Sequence, residues 1–500
     1  MQYEVDFECI EQYLEKHAVQ KPEYTAIIVK DTYTSYGELW RMVRGFARYL
    51  TETCEVQKGD RVVIKTLQTL DFAVSYFAVH LSGAVFVPLE KSIANEKALD
   101  ILNETEAKVY ISKDSFAEIP CRHVNIRDVT VLAAEHFSDS WQHTFPKLED
   151  SSDIMYTTGT TGKAKGVEVT HHVLLSLAQN YIEGFELKDG MVMAVPGPMN
   201  HVNPLRKLYM TIASGNTIVI LNGLMSIQAF FHALDAHGVT ALCLPPASLR
   251  TIWRYSGDKL AEYAEQIDFV ECSTAPVTES DKETLRKQLP KSRLYNNYGL
   301  SECGAMVMYD FCRYPDKAPG CVGKPTVNSH VIIVDEQRRE IQSSKERMGL
   351  IANSGPINMK GYWKSPEKTA EVKANGYVYT SDIGYFDEDG FLYVVGRTND
   401  TINVGGLKVE PTEVEEEALL FPGVHECICV PINDAITGTA LKLFVVMKQG
   451  VSFDDAALRK HLSERLAAYQ VPKIYEPTDS IPRNFVGKPD RNAFVNGERK

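Results

Sequence analysis

The sequence predicts an α/β fold: a large N-terminal domain of two wound α/β sheet subdomains plus a β-rich subdomain, followed by a small α+β C-terminal domain. Three observations predict it. Short β-branched runs alternate with helical patterns from residue 60 onward, as a parallel sheet with crossover helices requires. The rhythm restarts after residue 170, and around residue 320 the helices thin out in favour of paired strands. With 500 residues, about three times a typical domain length, the chain divides into at least two domains.

In the first sheet, residues 61–64, 84–87 and 109–111 read as strands separated by helices over 72–81 and near 95–103. The uncharged stretch 72–89 is long enough to raise a membrane question. Ser82-Gly83 and Pro88 answer it by splitting the stretch into a helix and a buried strand. Strands at 192–195, 217–221, 240–244 and 293–295 form the second sheet. Segments 330–334, 349–353 and 377–395 read as hairpins, the last turning at Asp387-Glu388-Asp389-Gly390. Beyond Arg397, a helix over 413–420, strands at 427–430 and 441–447 and a helix over 454–466 make a separate domain of about a hundred residues. The boundary is drawn between 398 and 399.

Composition excludes several classes. Hydrophobic residues at 44% and charged residues at 24% are ordinary globular values. The net charge of −13 repels phosphate backbones and anionic lipid, so nucleic acid is not an expected partner. Ten cysteines with no CxxC pair read as reduced, mostly buried thiols of a cytoplasmic protein. The first eight residues have neither a basic start nor an apolar run, so neither a signal peptide nor an integral membrane segment is expected.

The most informative stretch is Tyr156-Thr157-Thr158-Gly159-Thr160-Thr161-Gly162-Lys163-Ala164-Lys165-Gly166. Its hydroxyls, glycines and lysines suit a loop that wraps polyphosphate with backbone N–H groups and positive charge. Ala164 after Gly162-Lys163 rules out a Walker A loop, and a solvated Gly/Thr turn is the bland alternative. Asn296-Asn297-Tyr298-Gly299-Leu300-Ser301-Glu302 follows a predicted strand and offers an aromatic face, a hydroxyl and a carboxylate, enough to stack a base and hold a metal on a phosphate. Asp382 and Arg397 suit a ribose, or form a surface salt bridge. Lys488 follows a glycine in a predicted loop, either as a swinging cation or as a solvated side chain.

In their order, these segments resemble the adenylate-forming superfamily of acyl- and aryl-CoA synthetases, peptide-synthetase adenylation domains and firefly-type luciferases. The likeness runs from about Tyr36 to Arg491. Residues 83–89 resemble the early strand motif, 157–166 the phosphate loop and 298–302 the aromatic-Gly-x-Thr-Glu element. Ser354-Gly355-Pro356 through Gly361-Tyr362-Trp363 resembles the Gly-Pro…Gly-Tyr segment, 396–415 the hinge region and 482–491 the catalytic-lysine motif.

The resemblance implies that Thr157, Thr158, Gly159, Thr160, Thr161 and Lys165 bind the phosphates of ATP. It implies that Tyr298, beside Gly299, stacks adenine against Ala275-Pro276, with Asn296 at the amino group. Ser301 and Glu302 would hold phosphate and Mg²⁺, Glu302 being the metal ligand, while Asp382 and Arg397 bind ribose. Lys488, Glu302 and His201 form the implied catalytic set. Residues 1–398 would bind ATP and acid, and 399–500 would be the mobile domain carrying Lys488. Ala164 stands for the family's usual Pro, Ser301 for Thr, and Asn399 for the hinge Asp or Lys.

Pro198-Met199-Asn200-His201-Val202-Asn203 resembles a segment of acyl-CoA synthetases, without the aspartate that amino-acid-activating domains carry there. Gly405-Gly406 resembles the pair that lets a pantetheine chain pass in CoA ligases, where luciferases tend to have lysine. The implied function is an AMP-forming carboxylic acid:CoA ligase. One alternative is a stand-alone enzyme loading a carrier-protein phosphopantetheine in trans. The other is an inactive nucleotide- and acid-binding homologue, against which Lys488, Glu302 and Asp382 argue. Residues 273–274 and 303–306 read as small, uncharged pocket lining for a medium-chain or aromatic acid. Arg206-Lys207 reads as a solvated helix start, with pairing to a second substrate carboxylate as the alternative.

Overall fold

The computed structural model describes residues 6–65, 68–91, 93–157, 165–224, 226–273, 277–317, 319–397, 402–404, 407–409, 411–434, 438–483, 489 and 491–494. The chain divides into one unit of Met1–Val331 with Ala352–Tyr379 and another of Ile332–Ile351 with Thr380–Lys500.

In the first unit, the expected strands Arg61–Lys65, Val85–Leu89 and Val109–Ser112 lie side by side and parallel. The helix Leu70–Leu81 starts at Thr69, whose hydroxyl accepts from the Phe72 N–H. It ends at Ser82, and Gly83, at φ +79, takes the left-handed turn into Val85–Leu89. All five residues of that strand are buried, which is why the stretch is apolar without spanning a membrane. The complete seven-stranded sheet runs Gly361–Tyr362, Lys165–Thr170, Ser151–Thr157, Val85–Leu89, Arg61–Lys65, Val109–Ser112, Arg122–Asn125.

The second sheet contains the expected strands Val192–Val195, Thr217–Ile220, Ala241–Cys243 and Arg293–Leu300 and, between the last two, Phe269–Cys272, all mutually parallel. Three features depart from the sequence reading, the first being Phe269–Cys272, which was not among its strands. Thr25–Val29, from the N-terminal segment, pairs in parallel with Thr217–Ile220 and extends the sheet. The strand expected to stop at Tyr295 runs on to Leu300, because Gly304–Asp310 folds back and pairs with it from Tyr295 through Leu300. Asn296 and Tyr298 therefore sit in a strand rather than after one.

In the second unit, Asp382 to Phe386 pair antiparallel with Leu392–Arg397 around the expected turn, where Gly390 has φ +77. Val424–Asp434, Gly438–Met447 and Ile474–Pro477 form a three-stranded sheet. Alternation along Val424–Asp434 sends Cys427 and Cys429 to a core with Val414 and Ala418 of helix Pro411–Leu419 and Leu458 and Leu462 of helix Asp455–Ser463. Ile428 and Val430 face the opposite side with Phe444 and Phe494. All ten cysteines are free and eight are buried. Among the described residues no helix is long and apolar enough to cross a membrane.

Candidate active site

The Thr/Gly/Lys stretch is flanked by two paired strands. Ser151–Thr157 and Lys165–Thr170 pair antiparallel, with Thr157 opposite Lys165 at the mouth of the loop between them. Thr158, Gly159, Thr160 and Thr161 lie outside the described residues, as does the Thr157 side chain. Gly166 opposite Tyr156 has a steric reason: a Cβ there would come within 2.8 Å of Ile154 and 3.2 Å of Trp363.

Gly361–Tyr362 adds an antiparallel edge to the return strand, with Gly361 opposite Glu168 and Tyr362 opposite Val167. Backbone hydrogen bonds from Trp363 N–H to Gly166 O (2.7 Å) and from Lys360 N–H to Glu168 O (2.8 Å) extend the pairing. The Lys360 ammonium also meets the Glu168 carboxylate at 2.9 Å. This edge brings the Tyr362 ring to 5.0 Å from Lys165 Nζ, and the Tyr362 hydroxyl donates to Glu302 Oε1 at 2.8 Å. The Glu302 carbonyl accepts from Met359 N–H at 2.7 Å. Burial and the neighbouring Glu302 carboxylate push the Tyr362 hydroxyl well above the usual tyrosine range, so it stays a donor.

Three sequence-distant segments therefore converge on one cation, one phenol and one carboxylate. A carboxylate held on one oxygen by a phenol offers the hard anionic oxygen that Mg²⁺ takes, and the residues present fit that ion. Tyr362 is the residue of this convergence that the sequence reading left without a role. Its Gly-Tyr segment was the available signal.

The strand Arg293–Leu300 that carries Asn296 and Tyr298 is paired on both edges. Asn296 is buried, opposite Cys272 on one side and Tyr309 on the other, while Tyr298 is half-buried opposite Val307. Gly299 has a packing role: a Cβ would fall 1.7 Å from the Gly304 carbonyl oxygen, at the register shift after Tyr298. Ser301 and Glu302 occupy the turn that follows. Ala275 and Pro276 lie outside the described residues.

Asn297 Nδ2 donates to Glu271 Oε1, and Glu271 sits 3.5 Å from Lys207 Nζ, both side chains buried. This corrects the reading of Arg206-Lys207 as a solvated helix start. Both lie inside helix Val202–Ser214 at 8% and 0% exposure. Lys207 lies 3.6 Å from the Tyr181 ring centroid and pairs with the protein's own carboxylate. Burial opposes its charge, but Glu271 holds it above the ordinary lysine value. Glu271 lies in the wholly buried strand Phe269–Cys272, which the sequence reading did not mark, so this partner was not visible there.

His201 is the N-cap of the same helix, without a capping side-chain bond. Burial lowers its pKa, so it is a neutral imidazole at pH 7. Asn203 Nδ2 donates to Ser273 Oγ at 2.8 Å. Ser273, Cys303, Ala305 and Met306 are buried.

In the second unit, Asp382 is 2% exposed and stands opposite Arg397 in the ladder. Its N–H donates to Thr380 Oγ1 at 3.0 Å. The Arg397 side chain, Asn399, Gly405, Gly406 and Lys488 lie outside the described residues.

A family model described as AMP-binding enzyme matches residues 14–363, and one described as AMP-binding enzyme C-terminal domain matches 413–488. A 2-succinylbenzoate–CoA ligase of Bacillus velezensis is 28% identical over 95% of this chain and 96% of its own length. A feruloyl-CoA synthase of an Amycolatopsis species is 30% identical, with the same coverage of both chains. The solved structure of O-succinylbenzoate coenzyme A synthetase from Bacillus subtilis in complex with ATP and magnesium ion superposes with a TM-score of 0.84. It covers 97% of this chain and 99% of that one at 24% identity.

Proposed function

The chain belongs to the AMP-binding enzyme family, and on that premise we propose that it is an ATP-dependent carboxylic acid:CoA ligase forming AMP and pyrophosphate. A carboxylate oxygen of the acid attacks the α-phosphorus, and the bond to pyrophosphate breaks. The CoA thiol then attacks the acyl carbon, releasing AMP, and the thiol proton passes to solvent.

The observation that carries the reading is the Lys165, Tyr362 and Glu302 convergence at the phosphate hairpin. An anion attacking an anion needs its repulsion neutralised where charge develops. Lys165 supplies a cation at the hairpin mouth, and Tyr362 orients the Glu302 carboxylate. Mg²⁺, where Glu302 holds it, would supply Lewis-acid charge on the phosphates. The strand around Asn296 and Tyr298 would receive adenine, and Asp382 with Arg397 the ribose. Neutral His201 lines the acid side. Residues 1–398 would act as the nucleotide- and acid-binding domain and 399–500 as the mobile domain bringing Lys488, then Gly405-Gly406, to the reaction.

The acid is proposed to be medium-chain or aromatic, since Ser273, Cys303, Ala305 and Met306 present small or uncharged groups and Lys207 is engaged by Glu271. The test is ATP–pyrophosphate exchange across a panel of fatty and aryl acids with Mg²⁺, followed by thioester formation with CoA and with a phosphopantetheinyl carrier. Exchange no higher than that of Lys488→Ala for every acid would overturn the enzyme reading. Transfer to the carrier but not to CoA would overturn the acceptor.

A further inference from the structure

Outside this site the first unit buries a second cluster of ionisable groups. Glu11 comes from helix Ile10–Gln20, His80 from helix Leu70–Leu81 and His171 from the first position of helix His171–Gly184. Asp153 lies in the outgoing strand of the phosphate hairpin. None is more than 1% exposed. Glu11 Oε1 is 3.0 Å from His80 Nδ1, and the two imidazole rings meet edge to face with centroids 5.0 Å apart. One donor atom from each of Glu11, His80 and His171 lies within 4.8 Å of the others. Asp153 Oδ1 stands 3.7 Å from His80 Nε2.

The cluster is under-satisfied. Glu11 Oε2, His171 Nδ1, His80 Nε2 and both Asp153 carboxylate oxygens are buried without a hydrogen-bond partner, a costly arrangement for charged groups removed from water. Two carboxylates against one imidazolium leave an uncompensated negative charge, and a buried water would fill space without closing it. A divalent cation with two neutral imidazoles balances both carboxylates.

We infer that Glu11, His80 and His171 form a buried site for a transition-metal dication of the Zn²⁺ class. Two imidazoles and one carboxylate are donors such an ion accepts, whereas Ca²⁺ and Mg²⁺ favour oxygen. A tetrahedral site with bonds of about 2.0–2.1 Å has donor atoms about 3.3 Å apart. The Glu11–His80 separation of 3.0 Å is close to that, and with all three donors within 4.8 Å of one another His171 has at most about 1.5 Å to close. Asp153, behind His80, would accept the other ring N–H and orient the ligand. Asp153 precedes and His171 follows the phosphate loop, so the ion would tie both arms of that hairpin to the N-terminal helix.

The test is metal analysis of the full-length protein, with Co²⁺ loading followed by visible absorption and Zn²⁺-dependent thermal unfolding. About one equivalent per chain is expected, with a tetrahedral Co²⁺ band and a higher unfolding temperature in Zn²⁺. Glu11→Gln and His171→Asn should lose the metal, Asp153→Asn should weaken binding by about 10- to 100-fold, and Glu302→Gln should retain it. Should the wild-type protein hold no stoichiometric metal, show no Co²⁺ band and gain no stability from Zn²⁺, the inference fails. It fails equally if the metal persists in folded Glu11→Gln or disappears in Glu302→Gln. The wild-type measurements decide the matter even where a variant does not fold.

Discussion

The Tyr362 hydroxyl donates a 2.8 Å hydrogen bond to Glu302, linking the edge strand Gly361–Tyr362 to the turn after strand Arg293–Leu300. Tyr362→Phe removes that bond and almost no volume. A hydrogen bond to a charged group contributes about 1.5–3 kcal/mol, so the exchange rate should fall roughly tenfold or more and the Mg²⁺ requirement should rise. An unchanged Mg²⁺ titration would show that the phenol does not position the carboxylate.

Glu302→Gln keeps the shape and removes the charge. Exchange should drop by two or more orders of magnitude, on the order of 3 kcal/mol of transition-state stabilisation. A loss below tenfold would mean that Glu302 is not the metal ligand.

The candidate segments stood out in the sequence because their residue types are concentrated locally: four threonines and a glycine at 157–161, and Tyr298 and Glu302 within five residues. Their partners did not. Tyr362 is 60 positions from Glu302, and nothing short of the pairing of Gly361–Tyr362 with Lys165–Thr170 brings them together. The strand Arg293–Leu300 was cut short because its polar second half, Asn296-Asn297, does not look buried until Gly304–Asp310 covers its edge. Lys207 was misread for the same reason, since its counter-charge Glu271 belongs to another strand. The parallel sheets were legible because fully buried strands leave continuous apolar runs such as 85–89.

The proposed mobile domain predicts separable half-reactions. Lys488 and Gly405-Gly406 lie on different motifs beyond Asn399, so one small domain would present them in turn. Lys488→Ala should abolish adenylate formation while leaving transfer from supplied acyl-adenylate to CoA nearly intact. Gly406→Leu should do the reverse, and Asn399→Pro should slow whichever step needs the φ that proline forbids. Equal damage to both half-reactions from Lys488→Ala and Gly406→Leu would favour a single static arrangement.

Asp268 receives a 2.9 Å hydrogen bond from Lys188 and another from Arg293 at the start of the adenine strand. Burial opposes its ionisation, but these two partners hold its pKa below the ordinary aspartate value. The sign follows: the contribution is present above the unfolded-state value and is lost as pH falls through the lower folded value. Asp268→Asn should therefore be less stable at neutral pH and show a flatter acid limb below about pH 4. Parallel acid-unfolding curves for the two proteins would discount the pair.

The buried Lys207–Glu271 pair should couple stability to nucleotide binding. Lys207→Met leaves the Glu271 carboxylate buried without its counter-charge, and Glu271→Leu does the same to the ammonium, each costing about 3–5 kcal/mol. The double variant leaves neither charge stranded, so its loss in urea unfolding should be smaller than the sum of the singles by at least about 1 kcal/mol. Asn297 loses its Glu271 acceptor in Glu271→Leu, and Asn297 lies between Asn296 and Tyr298. The KM for ATP should therefore rise in Glu271→Leu and remain raised in the double variant, since restoring charge balance does not restore that acceptor. Additive stability losses would remove the pairing argument. An unchanged KM would show that the adenine strand holds its position without Glu271.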